Sequence, residues 1–339
     1  MTPIESLHNH TTLSDGKLSH TELFNLAESL NISVLAFTDH DAVPTESILV
    51  EIETLRGRKT KWILGIELTT NLPNELAPAS TAVHVIGLFV DPKNDALQAH
   101  CRRAQESRKK RMMNIVVALQ RLGFKITSEE CLKASGGESV GRPHIVEALR
   151  KHTENNTIIE KLKHEMRWVS ERDPKTKKLY DRMIQKGESS YPYALFLTPE
   201  SFRSAYYEHD YMPNLDEGVS LIRGAGGIAI LAHYYSVRSK MPMEILEKLL
   251  VEKRIDGVET VYGLREYGTA GEDALEKERA ALRELSKKYG TIVAGGSDAH
   301  RKEDLELYAS SEWFSGETNG FTSNILATGK INNEFSSLE

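Results

Sequence analysis

The sequence predicts an α/β fold, a seven-stranded barrel or open sheet interrupted by a mainly helical insertion. Three observations predict it. Seven short apolar runs recur with helical stretches between them. The series stops after Val90 and resumes near Gly227. Almost every run ends in a side chain able to hold a metal ion. In order, the runs are residues 4–8, 34–38, 62–68, 83–90, 227–232, 257–261 and 292–296. Between the first two, Ser19-His20-Thr21-Glu22 reads as a capping box, and Leu23, Leu26, Ala27 and Leu30 mark one helix face. Residues 274–285 form a similar helix before the last run. Within 91–225 the pattern is helices and loops, and Asp173-Pro174-Lys175-Thr176-Lys177-Lys178 reads as an exposed loop. The expected organisation is therefore a discontinuous barrel of residues 1–90 and 226–339. The insertion, 91–225, is expected to cover its active-site mouth.

Composition narrows the class. Of 339 residues, 40% are apolar and 27% charged, a soluble balance. No apolar run reaches about 18 residues, so no membrane helix is expected. The start of the chain lacks a basic, then apolar, signal pattern, and a cytoplasmic setting is expected. Cys101 and Cys131 are the only cysteines, which excludes a disulfide framework and a cysteine-rich zinc site. The net charge of -6 is unevenly spread. Residues 101–187 hold 21 basic and 11 acidic side chains, a net +10 that suggests an anionic ligand. Solvated lysine-rich helices are the plain alternative, since the run from Arg102 to Arg111 would pass round every face of a helix.

The chemistry sits at the ends of the runs. The first leads into His8-Asn9-His10 and Asp15, the second into Asp39-His40-Asp41, and the third carries Glu67. His84 opens the fourth, His233 follows the fifth, and Asp298-Ala299-His300 follows the seventh. In α/β barrels the carboxyl ends of the strands share one mouth, so such residues converge. Two histidines spaced as His-x-His on extended chain point the same way. One histidine at a strand end is ordinarily a hydrogen-bonded structural residue. Six of the twelve histidines with three acids at one end are not, because burying them together without a cation is costly. Imidazole with carboxylate suits zinc, manganese or iron, whereas calcium and magnesium prefer oxygen alone. Asp39 and Asp41 read as supporting residues, since His40 competes for the same space.

At these residues the chain resembles the PHP (polymerase and histidinol phosphatase) family, metal-dependent phosphoesterases on a distorted seven-stranded α/β barrel. The resemblance implies two or three divalent ions (Mn, Zn or Fe). It implies that His8, His10, Glu67 and Asp298 hold one ion, and that bridging Glu67 with His84 and His233 holds a second. Asp15, His40 and His300 would hold a third. Gly136-Gly137, Gly141-Arg142-Pro143-His144 and the segment Gly226 to His233 look like the branch acting on nucleotides. Members of that branch remove the 3′-phosphate from nucleoside 3′,5′-bisphosphates, and some digest short RNA from the 5′ end. The branch implies a substrate-phosphate role for Arg142 and His144, although Arg142 also suits a helix start before Pro143. Three features depart from the family: Tyr234 after His233, Arg301 after His300, and a long insertion around 158–182.

The implied mechanism follows from charge. Three divalent ions against Asp15, Glu67 and Asp298 leave about +3, which favours a phosphate dianion. A water bridging two ions, held through Glu67 and Asp298, loses its proton near neutral pH because its pKa falls from about 16 to about 7. His144 is one candidate proton donor and a metal-bound water another. The expected substrate is a nucleotide or short 5′-phosphorylated RNA, with no membrane and no obligate protein partner evident. A small-molecule phosphatase such as histidinol phosphatase is the alternative, and the basic insertion argues against it. A non-catalytic metal-binding accessory module would have lost ligands, and none is missing here.

Overall fold

The computed structural model describes residues 3–77, 81–136, 139–262, 272–311, 317–331 and 333–338. Gly137, grouped above with Gly136, lies outside the described residues. The chain forms two compact units, Met1–Ala104 with Met212–Glu339, and Gln105–Tyr211.

The first unit is built on one sheet of β1 (Ile4–Ser6), β2 (Ile32–Phe37), β3 (Lys61–Asn71), β4 (Ala82–Leu88), β5 (Ile228–Leu231), β6 (Gly257–Val261) and β7 (Ile292–Gly295). Spatial order equals sequence order. β1, β2 and β3 run parallel, as do β5, β6 and β7, while β4 is antiparallel to both neighbours. The reversal has a simple cause: a short connection joins β3 to β4, and parallel pairing would need a crossover of a dozen residues or more. Past the outer strands, Leu7 N donates to Gly295 O (3.0 Å) and Asp298 N to His8 O (3.0 Å).

The helices in chain order are α1 (His20–Ser29), α2 (Glu46–Glu53), α3 (Asp95–Arg121), α4 (Ser128–Ser135), α5 (Arg142–Arg150), α6 (Asn155–Ser170), α7 (Pro174–Lys186), α8 (Leu215–Gly224), α9 (Met243–Val251), α10 (Glu272–Tyr289), α11 (Lys302–Ser310) and α12 (Phe321–Ala327). α1 begins on the expected capping box, with Glu22 N donating to Ser19 Oγ and Ser19 N to Glu22 Oε2. Strand alternation divides the apolar side chains. Ile66, Leu68, Val83, Val85, Ala229 and Leu231 cluster with Val219 and Ile222 of α8 and Leu246 and Leu249 of α9. The other parity, including Ala36, Ile63, Ile86, Leu88, Ile228, Ile230, Val261 and Ala294, forms a second cluster with Leu7. Each fully buried Leu or Ile contributes about 1.5–3 kcal/mol, so these layers hold the strand ends in place.

The second unit packs α4 to α7 and the end of α3 around Leu119, Phe124, Ile145, Leu149, Leu162, Met166, Met183 and Phe196. It is narrower than the 91–225 segment set apart above. Leu97 and Cys101 at the start of α3, and Leu215 and Val219 of α8, join the core of the first unit. Residues 173–178 are not a loop. Pro174 starts α7, and the Asp173 side chain accepts a hydrogen bond from Thr176 N (2.8 Å). Aspartate at the cap and proline in the first turn are start signals, because the missing proline amide has no helical partner to lose. The long 158–182 stretch forms most of the α6–α7 pair.

Candidate metal centre

The site begins where β1 stops. Asn9 fixes the extended chain beyond it: Nδ2 donates to Ser6 O (2.8 Å) and Ala36 O (2.9 Å), and its amide donates to Thr38 Oγ1 (2.9 Å). Neighbouring chain comes unusually close. A Cβ at Gly296 would lie 2.4 Å from His8 N, and one at Gly16 would lie 2.4 Å from His10 O. Only glycine permits that approach. His8 and His10 thus become buried imidazoles, with Nε2 atoms 3.2 Å apart.

The other predicted residues arrive from different strands. β3 supplies Glu67. Because β4 runs backwards, its first residues lie beside the carboxyl end of β3, and His84 Nδ1 sits 2.9 Å from Glu67 Oε1. This explains why His84 opens its strand while the other predicted residues lie toward or past the carboxyl ends of theirs. His233, just past β5, lies 3.1 Å from the same oxygen. Glu67 Oε2 is 2.8 Å from His40 Nδ1, 3.3 Å from His10 Nε2 and 3.5 Å from His8 Nε2. Asp298 Oδ1 is 3.2 Å from His10 Nε2 and 3.5 Å from His8 Nε2. Asp15 Oδ1 is 3.3 Å from His300 Nε2 and 3.8 Å from His10 Nδ1. All six histidines and three acids therefore meet in one cluster.

Donor atoms close enough to share an ion fall into three overlapping sets: His8, His10 and Glu67; His40, Glu67 and His84; and His10, Asp15, His40 and His300. Here His10 and His40 each belong to two groups, which the family-based partition above did not foresee. The residues fit divalent metal. Glu67 Oε2 and Asp15 Oδ1 are buried yet accept no aligned hydrogen bond among the described residues. Such lone pairs are costly unless a cation takes them. Burial alone would raise the pKa of Glu67, but His40, His84 and His8 outweigh it and hold the carboxyl well below its ordinary range. Asp298 behaves alike through His8 and His300. Burial, with His300 and His40 alongside, lowers the pKa of His10 to about 4, leaving a neutral ring with a lone pair to offer.

Supporting groups surround the cluster. Glu259 of β6, which the sequence reading left without a role, is 1% exposed. Its carboxylate lies 3.2 and 3.3 Å from His8 Nδ1 and accepts from His233 N (2.8 Å). A proton on Nδ1 shared with Glu259 leaves the Nε2 lone pair of His8 turned toward Glu67 and Asp298, free to face a cation. The signal was present as an acid inside the apolar run Gly257-Val258-Glu259-Thr260-Val261. Asp39 accepts from Thr11 N, Thr11 Oγ1 and Ser14 Oγ, at 2.8, 2.8 and 2.6 Å. Asp41 accepts from Thr69 N and Thr69 Oγ1 at 3.0 and 3.1 Å. His233 (φ +25°) and Asp298 (φ +50°) adopt left-handed backbone, a conformation that concentrates at functional sites.

Two departures find local explanations. Buried Tyr234 donates its hydroxyl to Met241 O (2.9 Å). Arg301 is exposed and lies 3.6 Å from Asp304, so its charge turns to the surface of α11. In the second unit, buried His144 accepts from Gly141 N at Nδ1 (2.9 Å), which places the proton of its neutral form on Nε2. Arg142 donates to Leu197 O (3.4 Å), with its guanidinium 5.7 Å from the Tyr193 ring centre.

A mixed α/β sheet that gathers six imidazoles and three carboxylates at its strand ends defines a metal-dependent hydrolase. Residues 6–290 match the PHP domain, so the chain belongs to the PHP family and is a metal-dependent phosphoesterase. It is 24% identical over 312 residues to a 3′,5′-nucleoside bisphosphate phosphatase of Chromobacterium violaceum, covering 91% of this chain and 94% of that protein. It is 22% identical over 300 residues to the 5′-3′ exoribonuclease Rnm of Salmonella typhimurium, covering 88% and 85%. A solved structure from Bifidobacterium adolescentis, assigned as a metal-dependent phosphoesterase, shares the fold. It has a TM-score of 0.67 and 20% identity, and 98% of each chain is covered.

Proposed function

We propose that this phosphoesterase removes the 3′-phosphate of nucleoside 3′,5′-bisphosphates, such as pAp to AMP, or digests short 5′-phosphorylated RNA, in the cytoplasm. The convergence of His8, His10, Asp15, His40, Glu67, His84, His233, Asp298 and His300 carries the reading. The two relatives supply its nucleotide character, together with the net +10 of residues 101–187. The sheet is read as a distorted barrel, supported by the bonds between the ends of β1 and β7.

His8, His10, Glu67 and Asp298 are proposed to hold one manganese, zinc or iron ion, Glu67 with His84 and His233 a second, and Asp15, His40 and His300 a third. Bound ions would supply a water of lowered pKa and positive charge for the phosphate oxygens. The protein's own part is to keep Glu67, Asp15 and Asp298 anionic and His10 neutral at neutral pH, and to fix His8 through Glu259. Arg142 and the Nε2 proton of His144 are proposed to hold substrate phosphate.

With manganese, the purified protein should release inorganic phosphate from adenosine 3′,5′-bisphosphate. Asp298→Ala should lower turnover by at least about 100-fold. Silence toward both this substrate and short RNA, with histidinol phosphate hydrolysed instead, would reassign the substrate. RNA turnover should also fall steeply with salt, and turnover of a small ester much less.

A further inference from the structure

An imidazole that binds a cation through one nitrogen carries its single proton on the other, so the group meeting that second nitrogen governs how the ring can bind. For His8 this partner is the Glu259 carboxylate, 3.2 Å from Nδ1, and for His300 it is the Asp298 carbonyl, 2.9 Å from Nδ1. An ionised carboxylate and a carbonyl can only accept. His233 is met differently. Its Nδ1 lies 2.8 Å from the hydroxyl oxygen of Ser236, the one hydrogen-bonding partner of that nitrogen among the described residues. Its Nε2 lies 3.1 Å from Glu67 Oε1.

A hydroxyl has one proton to give. Ser236 Oγ donates to His233 O (3.0 Å) across the single 3-10 turn Tyr234–Ser236. With that proton committed, the oxygen offers Nδ1 only lone pairs. The ring proton then sits on Nδ1, and the Nε2 lone pair faces Glu67. The backbone of His233 is held as well: its amide donates to Glu259 (2.8 Å), and its carbonyl also accepts from Ser236 N (2.9 Å). A serine that closes a turn onto a carbonyl three residues back is ordinary local structure. One whose oxygen also meets an imidazole of the cluster can select its tautomer.

We propose that Ser236 is a positioning residue for His233, keeping its proton on Nδ1 so that Nε2 is presented to the ion shared with Glu67 and His84. The inference rests on the ligand reading above and adds Ser236 to it. Its effect is confined to that ion, since His8 and His300 have acceptors of their own.

The test reads metal binding and the ring proton, apart from turnover. Full-length protein freed of metal by chelation is titrated with zinc against a chromophoric chelator. The wild type should bind zinc in successive steps. Ser236→Ala should weaken one step about tenfold, the lower end for a lost ligand-orienting partner, because water reaches the exposed Ser236 position. Ser236→Thr, which keeps the hydroxyl, should restore that step. Ser239→Ala, also exposed and three residues further on, should leave every step unchanged. A spectrum of zinc-loaded protein labelled with 15N-histidine gives a readout that a merely structural serine would not move. There the His233 Nδ1 proton, assigned by its loss in His233→Gln, should exchange faster with water in Ser236→Ala and slow again in Ser236→Thr. Unchanged zinc affinity and unchanged proton exchange in Ser236→Ala overturn the positioning role and leave the ligand reading standing. A wild type that binds no zinc overturns both. The expected zinc and proton results, with no phosphate released from any nucleotide, would instead remove the proposed activity and leave Ser236 in its role.

Discussion

Glu259 shows what a single residue contributes to a site built by many. His8 has two nitrogens, and the carboxylate beside Nδ1 determines which of them faces Glu67 and Asp298. Gln at this position keeps the shape but loses the charge and one of two acceptor oxygens, which now serve both His8 and His233 N. Glu259→Gln should therefore weaken metal binding by about 10- to 100-fold, as loss of a ligand-orienting partner does elsewhere. Competition against a metal-sensitive chelator measures it, and unchanged affinity would show that His8 is oriented by packing alone. The nine donor residues were legible because nitrogen and oxygen ligands recur at strand ends. Glu259 was not, because one acid in an apolar strand looks the same whether it salt-bridges, caps or orients.

Among the elements, α1 illustrates how a legible helix carries an unforeseen property. Its capping box and apolar face are plain in the sequence, and both form. Its first residue, His20, is buried, with its ring 4.9 Å from that of Phe37 on β2 and Nε2 3.7 Å from Asp39. Burial lowers the His20 pKa, with Asp39 and Glu51 opposing it. Between the lowered value and the ordinary 6.5, the unfolded chain binds a proton that the folded chain refuses. Stability is thus complete above about pH 6.5 and falls as the solution is acidified through that window. His20→Gln should flatten this slope by up to one proton, about 1.4 kcal/mol per pH unit. Urea denaturation from pH 7.5 to 5.5 would reveal it, and parallel curves for both proteins would contradict it. Two other elements escaped the sequence. α7 was hidden because proline beside clustered lysines reads as loop until Asp173 is recognised as its cap. The reversed direction of β4 was hidden because apolar alternation is identical in either direction.

For the whole molecule, the cluster lies in one of two compact units, and metal should stabilise that unit selectively. Binding to the folded state alone at 100-fold excess over Kd adds about 2.7 kcal/mol. Chelation should therefore lower the melting temperature and raise hydrogen exchange in β1, β3 and β7. Exchange around Met166, Met183 and Phe196 in the second unit should stay as it was. Equal loosening of both units would mean that metal supports the chain globally. What the sequence alone determined is the donor inventory and the strand-helix alternation, because ligand chemistry and apolar periodicity are local properties of residue type and spacing. Only the tertiary structure decided that His10 and His40 serve two donor groups each and that Glu259 backs His8. Those facts depend on distances between residues far apart in the chain, which packing sets and no local pattern encodes.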